Sequence, residues 1–139
     1  MIEQNIKLTT DAVVFCIIDE QLKVLLVKRG NEPYKGSWSL PGGFVEDGEE
    51  LVEGMKRELE EETGLKLMDA TQLGVYGAVG RDPRGRTVSV AYYALLDGNN
   101  IDVKGGDDAA EADWHNVHQL PELAFDHADI LRDALAALG

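Results

Sequence analysis

Apolar positions along this chain change period several times, and the changes mark its elements. Residues 12–18, Ala-Val-Val-Phe-Cys-Ile-Ile, form a nearly unbroken apolar run, and residues 22–28 resume it after Asp19-Glu20-Gln21. Two β-branched, apolar stretches around so short a break predict an antiparallel pair over residues 11–18 and 22–28. Residues 29–39 shift to Gly, Asn, Pro, Lys and Ser, which predicts a loop ending in Trp38-Ser39-Leu40-Pro41-Gly42-Gly43. Leu51, Met55 and Leu59 then follow at four-residue steps with no proline between them, predicting one helix over about 49–63. Asp47 is its candidate cap and Gly64 its stop. Residues 71–79 and 87–96 predict longer strands. A short strand is expected after Gly98-Asn99-Asn100, then an acidic loop over 105–111 and a strand over 112–117. Residues 125–138 predict a terminal helix with Ile130, Leu131, Ala134, Leu135 and Leu138 inward. Strands flanking two helices in mixed order indicate an α+β fold, a mixed α/β sandwich.

With 139 residues and no internal repeat or linker, the chain is expected to form one domain able to bury a core without staples. A net charge of −13 argues against nucleic acid or an anionic membrane as partner. The seven-residue run 12–18 has no basic flank and is too short for a signal peptide or a membrane span. Cys16, the single cysteine, lies in that run, so a buried, inert thiol is expected. With no internal disulfide possible, a reducing cytoplasm fits.

Residues 43–65, GFVEDGEELVEGMKRELEEETGL, carry the densest chemistry. At about 100° per residue, Glu58, Glu61 and Glu62 share one narrow helical sector, while Leu51, Val52, Met55 and Leu59 fill the next. Carboxylates so placed repel, each exposed pair costing a few tenths of a kcal/mol, about 0.3. Beside a core face the cost is larger unless a cation sits among them, and clustered hard oxygens suit Mg²⁺ or Mn²⁺. The bland alternative is a solvated acidic face.

The spacing Gly43, five residues, Glu49, seven residues, Arg57-Glu58-Leu59-Glu60-Glu61-Glu62-Thr63-Gly64-Leu65 fits the Nudix box at every specified position. A chance match at a given start is expected roughly once in 10⁹. The chain therefore resembles a Nudix hydrolase. That resemblance implies a sheet between helices, with the box as loop–helix–loop. It implies Glu58, Glu61 and Glu62 as metal ligands, with the Gly42 carbonyl adding an oxygen. Glu58 and Glu61 are the box residues best placed to take a proton from the attacking water. Arg57 points beside the carboxylate sector, so a pair with Glu49 would tie the helix start to its centre and orient the ligands. Gly54 departs from the family's usual alanine, at a helix cost of about 1 kcal/mol. A further acid outside the box is expected among Asp107, Asp108 and Glu111, with Glu111 preferred.

The stretch Arg81-Asp82-Pro83-Arg84-Gly85-Arg86-Thr87-Val88-Ser89, with Leu40 to Glu46 and Leu123-Ala124-Phe125-Asp126-His127, resembles the ADP-ribose pyrophosphatases of this superfamily from about residue 10 to 138. The implied reaction is ADP-ribose plus water giving AMP and ribose 5-phosphate. Arg81, Arg84 and Arg86 are three cations in six residues of an acidic chain. Guanidinium forks suit phosphate or ribose oxygens, and a solvent-facing hairpin tip is the alternative. Gly43 lets a ligand approach the backbone. Trp38, Tyr34 and Phe125 are candidates for stacking on adenine, or for ordinary packing. His127 is expected to be packed or on the helix surface. Two rival readings stay open: an oxidised or non-standard nucleoside triphosphate as substrate, and a non-catalytic ADP-ribose sensor. The sensors carry a winged helix after the domain, whereas this sequence stops at Gly139. Relatives of this kind often dimerise, so a homodimer is a candidate state.

Overall fold

A computed structural model describes residues 2–97, 103, 105–106 and 109–139. Its elements are β1 (Lys7–Ile18), β2 (Gln21–Arg29), β3 (Trp38–Ser39), β4 (Gly42–Phe44), α1 (Leu51–Thr63), β5 (Thr71–Tyr76), β6 (Thr87–Leu96), β7 (Ala109–Asn116) and α2 (His127–Leu138). The sheet runs β3-β2-β1-β6-β5, with β4 also on β1 and β7 also on β2. β1 and β6 pair in parallel from Lys7↔Thr87 to Cys16↔Leu96, and the other pairings between these strands among the described residues are antiparallel.

The unbroken apolar run of β1 follows from burial on both faces. Val13 and Phe15 pack with Val24, Leu26, Ile130, Leu131 and Ala134 under α2. Ala12 and Val14 pack with Leu25, Val90, Tyr92, Met55 and Leu59 under α1. The molecule is thus the α+β sandwich expected, one helix on each face of a mixed sheet. Cys16 is fully buried, and burial pushes its thiol up, away from reactivity.

One topological detail creates the site. β1 pairs with β2 only from Phe15↔Val24 to Ile18↔Gln21, around a turn in which Asp19 and Glu20 are both left-handed. Beyond Phe15 the strands part. β2 continues against β7 and β3, while Thr9–Asp11 of β1 takes β4 as its partner. The Ala12 N–H donates to the Pro41 carbonyl across the opening at 2.8 Å.

Several boundaries differ from expectation. α1 begins at Leu51, after Glu50 with no side-chain cap, so Asp47 does not cap it. Gly64 does end it, left-handed at φ 78° and donating to the Glu60 carbonyl. The 71–79 strand stops at Tyr76, where β5 loses its partner on β6. The terminal helix starts at His127 because Phe125 is left-handed, at φ 54°. β7 begins at Ala109, which places Glu111 on a strand opposite Lys28 rather than in a loop. The short strand expected after residue 100 and the candidates Asp107 and Asp108 lie outside the described residues. β3 and β4 were read as loop: at two and three residues they carry no periodic signal, and they form where β2 and β1 offer free edges.

Candidate active site

The opening between β1 and β2 holds a cavity of about 280 Å³. Glu58 and Glu62 of α1 and the backbone of Gly42 and Gly43 line it, together with Asp11, Arg29, Arg84, Phe125 and His127. Acidic and cationic groups therefore face one space on a chain whose overall charge is strongly negative.

Arg57 organises the acidic side. Its Nε and Nη2 donate to the two oxygens of Glu49 at 2.8 and 3.1 Å, the pairing expected from the sequence. Nη1 reaches Glu58 Oε1 at 2.9 Å and Glu61 Oε2 at 3.2 Å, and Nη2 also reaches the Phe44 carbonyl at 3.1 Å. The hydrogen bond from Arg57 holds the Glu49 carboxyl below its ordinary range. Gly54 finds its explanation here. A Cβ at that position would lie 2.8 Å from Glu49 Oε1 and 3.7 Å from Val45 Cγ2, so the glycine makes room for the Arg57–Glu49 fork.

Glu58 is pressed against the α-carbon of Gly43, where any Cβ would overlap its carboxylate. Glu62 accepts the Gly42 N–H at 2.8 Å. Burial pushes the Glu62 carboxyl up to about 8, with the charges of Glu58 and Asp11 adding to the effect and the Gly42 N–H opposing it. Glu61 is more exposed and turned towards Arg57. Among the described residues no three acidic, imidazole or thiol groups converge as closely as a bound ion would draw them. The donor set nevertheless fits a hard divalent cation: carboxylate oxygens of Glu58 and Glu62 beside a glycine backbone, with burial first and neighbouring negative charge second opposing ionisation of Glu62.

Of the three arginines read as substrate contacts, two border the cavity. Arg84 grips Asp82 through Nε and Nη2 at 3.1 and 2.8 Å, and its guanidinium lies 5.1 Å from the Phe44 ring centre and 5.4 Å from that of Phe125. Arg81 is almost wholly buried and forms a two-pronged pair with Asp126 at 2.9 and 2.7 Å. Arg86 is elsewhere, donating to the Gly77 carbonyl at 2.9 Å. Trp38 packs edge-on against His115, 4.5 Å between ring centres, within the apolar layer under α2 rather than on the cavity wall. Glu111 likewise does not border the cavity. The rim aromatics are Phe125, Phe44 and the neighbouring Tyr34, whose ring centre is 4.8 Å from that of Phe125.

Asp11 was not singled out from the sequence. It is buried, its Oδ2 accepts from the Ser89 hydroxyl, and its Oδ1 lies 3.5 Å from His127 Nε2. The available signal was a lone acid at the head of an apolar strand, a costly placement unless it is partnered. Arg29 was missed as well. It reaches the Pro33 carbonyl from Nε at 2.6 Å and lies over the Phe125 ring at 5.0 Å.

A family model for the Nudix domain matches residues 8–136. The chain belongs to the Nudix family. It is 48% identical over 117 residues to an ADP-ribose pyrophosphatase from Methanocaldococcus jannaschii, covering 84% of this chain and 68% of that protein. It is 36% identical over 135 residues to the ADPR responsive transcriptional repressor NtrR of Acinetobacter baylyi, covering 94% of this chain but only 54% of the repressor. The solved Nudix domain of Shewanella oneidensis NrtR, complexed with ADP ribose, superposes with a TM-score of 0.90 at 37% identity, covering 99% of this chain and 91% of that one. Among the described residues, no helix of this Nudix chain is long and apolar enough to cross a membrane.

Proposed function

We propose that this Nudix domain hydrolyses ADP-ribose to AMP and ribose 5-phosphate, using Mg²⁺ or Mn²⁺ held by Glu58, Glu61 and Glu62 with the Gly42 carbonyl. One observation carries the reading: Glu58 and Glu62, acids for an ion, share a single cavity with the guanidinium groups of Arg84 and Arg29. The 48% identical pyrophosphatase supports the choice of substrate. A bound divalent ion neutralises phosphate charge and acidifies water.

The chain's own groups do the rest. Arg57 fixes Glu49 and Glu58, and so sets the orientation of the carboxylate that borders Gly43. The flush contact of Glu58 with Gly43 leaves backbone, not side chain, facing the diphosphate. Arg84, braced by Asp82 through Nε and Nη2 and set against the rings of Phe44 and Phe125, has its Nη1 edge as the donor for a phosphate or ribose oxygen. Water adds to one phosphorus, the bridging P–O bond breaks, and Glu58 takes the water's proton. Both products leave as phosphomonoesters.

The test is product analysis with Mg²⁺ or Mn²⁺ in ¹⁸O-labelled water, in wild type and Glu62→Gln. Label in one product identifies the phosphorus attacked, and full activity in the variant contradicts the ligand assignment. A second reading, binding of ADP-ribose without turnover, is favoured by the resemblance to the repressor. Tight ADP-ribose binding with no AMP released would select it. A substrate panel ranked by kcat/KM separates both readings from hydrolysis of a nucleoside triphosphate. We further propose a cytoplasmic location and, as candidate assembly, a homodimer.

A further inference from the structure

His127 opens α2 and is almost fully enclosed. Its Nδ1 accepts the Leu40 N–H at 3.0 Å, so that nitrogen carries no proton and the ring's hydrogen sits on Nε2. Burial keeps the imidazole below its ordinary pKa, consistent with a neutral ring. Nε2 faces Asp11 Oδ1 at 3.5 Å, and the other Asp11 oxygen is held by Ser89. Asp126, immediately before His127, is clamped by Arg81, so the ring is delivered from a fixed helix start.

Both nitrogens of this ring face the same place. Leu40 stands two residues before Gly42, and the intervening Pro41 carbonyl is tied to the Ala12 N–H. Asp11 lies opposite Gly42 in the β1–β4 register, with its Oδ1 so close that a Cβ on Gly42 would sit 2.6 Å away. Gly42 in turn donates its N–H to Glu62 Oε1 at 2.8 Å.

We propose that His127 is a positioning residue for the metal site, holding Gly42 through Leu40 and through Asp11 so that the Gly42 amide aims the Glu62 carboxylate. The inference rests on the reading of Glu62 as a metal ligand. Loss of a hydrogen-bonding partner behind a ligand commonly lowers metal affinity by about 10- to 100-fold. In the His127→Ala variant Leu40 loses its acceptor and Asp11 loses the imidazole Nε2 that stands 3.5 Å from its Oδ1. In His127→Asn the amide oxygen can still accept from Leu40, but the side chain is too short to reach Asp11.

The experiment is Mn²⁺ titration of the full chain without nucleotide, following free Mn²⁺ by electron paramagnetic resonance, in wild type, Glu62→Gln, His127→Ala and His127→Asn. Expected are losses of affinity of about tenfold or more in Glu62→Gln and His127→Ala and a smaller loss, about threefold, in His127→Asn. Turnover of ADP-ribose by His127→Ala at fixed Mn²⁺ should show a lowered kcat with KM within about twofold, a split that general loosening of the fold does not give. A folded His127→Ala with wild-type Mn²⁺ affinity, beside a weakened Glu62→Gln, overturns the inference alone. If His127→Ala does not fold, wild-type affinity in His127→Asn overturns it. Wild-type protein that takes up no Mn²⁺, or Glu62→Gln that binds as wild type does, overturns the metal reading and this inference with it.

Discussion

Glu62 makes the stability of the metal-free protein depend on pH in an unusual direction. Burial, with Glu58 and Asp11 nearby, raises its carboxyl from an ordinary 4.5 to about 8. Below about pH 4.5 the group is protonated whether the chain is folded or not, and its contribution is fully present. Between 4.5 and 8 the unfolded chain ionises while the folded one keeps its proton, so stability falls as pH rises and the loss is complete once pH passes about 8. At about 1.36 kcal/mol per pH unit, the ceiling is about 5 kcal/mol, a large share of a typical domain's stability. Glu62→Gln removes the titration while leaving an oxygen to accept the Gly42 N–H. Urea unfolding in EDTA from pH 5 to 9 reads the difference directly. Wild type should lose several kcal/mol relative to the variant across that range. Mn²⁺ should reverse the loss and stabilise wild type more at pH 9 than at pH 6, because only the ionised carboxylate binds it. Wild-type and variant curves that stay parallel from pH 5 to 9 would refute the argument.

Other consequences follow from individual contacts. Gly43→Ala places a methyl group on the Glu58 carboxylate and should reduce kcat by at least tenfold while the chain still melts cooperatively; a wild-type kcat would show that the close approach is dispensable. Arg84→Ala should raise KM for ADP-ribose by about tenfold, whereas Arg86→Ala should change it by less than about twofold, and steady-state kinetics on the pair tests whether position on the cavity wall decides the role. Asp126→Ala strands the buried Arg81 guanidinium and should cost about 3 kcal/mol in chemical denaturation, where a loss under 1 kcal/mol would show that water or another group compensates.

What could be read in the sequence was what is local. The box helix, its Gly64 stop and the Arg57–Glu49 pair lie within a few turns of one another, so apolar spacing placed the helix and the box resemblance placed the pair. The continuous apolar run of residues 12–18 likewise announced a strand, of which Ala12, Val13, Val14, Phe15 and Cys16 are buried. Illegible were features that depend on contacts distant in the chain. β3 and β4 exist because β2 and β1 diverge, which no property of two or three residues encodes. His127 meets Leu40 across 87 positions, and Asp11 meets Ser89 across 78. The arginine cluster shows the same limit. Residues 81–86 read as one group, but the turn sends Arg84 to the cavity, buries Arg81 against Asp126 and leaves Arg86 on the Gly77 carbonyl. Glu111 was misplaced because β7 begins two residues before it, opposite Arg29.

The parting of β1 from β2 means that room for a ligand arises from how two backbones are routed, not from trimming side chains out of a packed interior. The scaffold therefore tolerates exchanges along its rim, at Phe44, Arg84 or Phe125, without opening a void in either apolar layer. A lineage built this way can vary what it accommodates by replacing a few peripheral side chains while the acidic cluster of α1 stays in place.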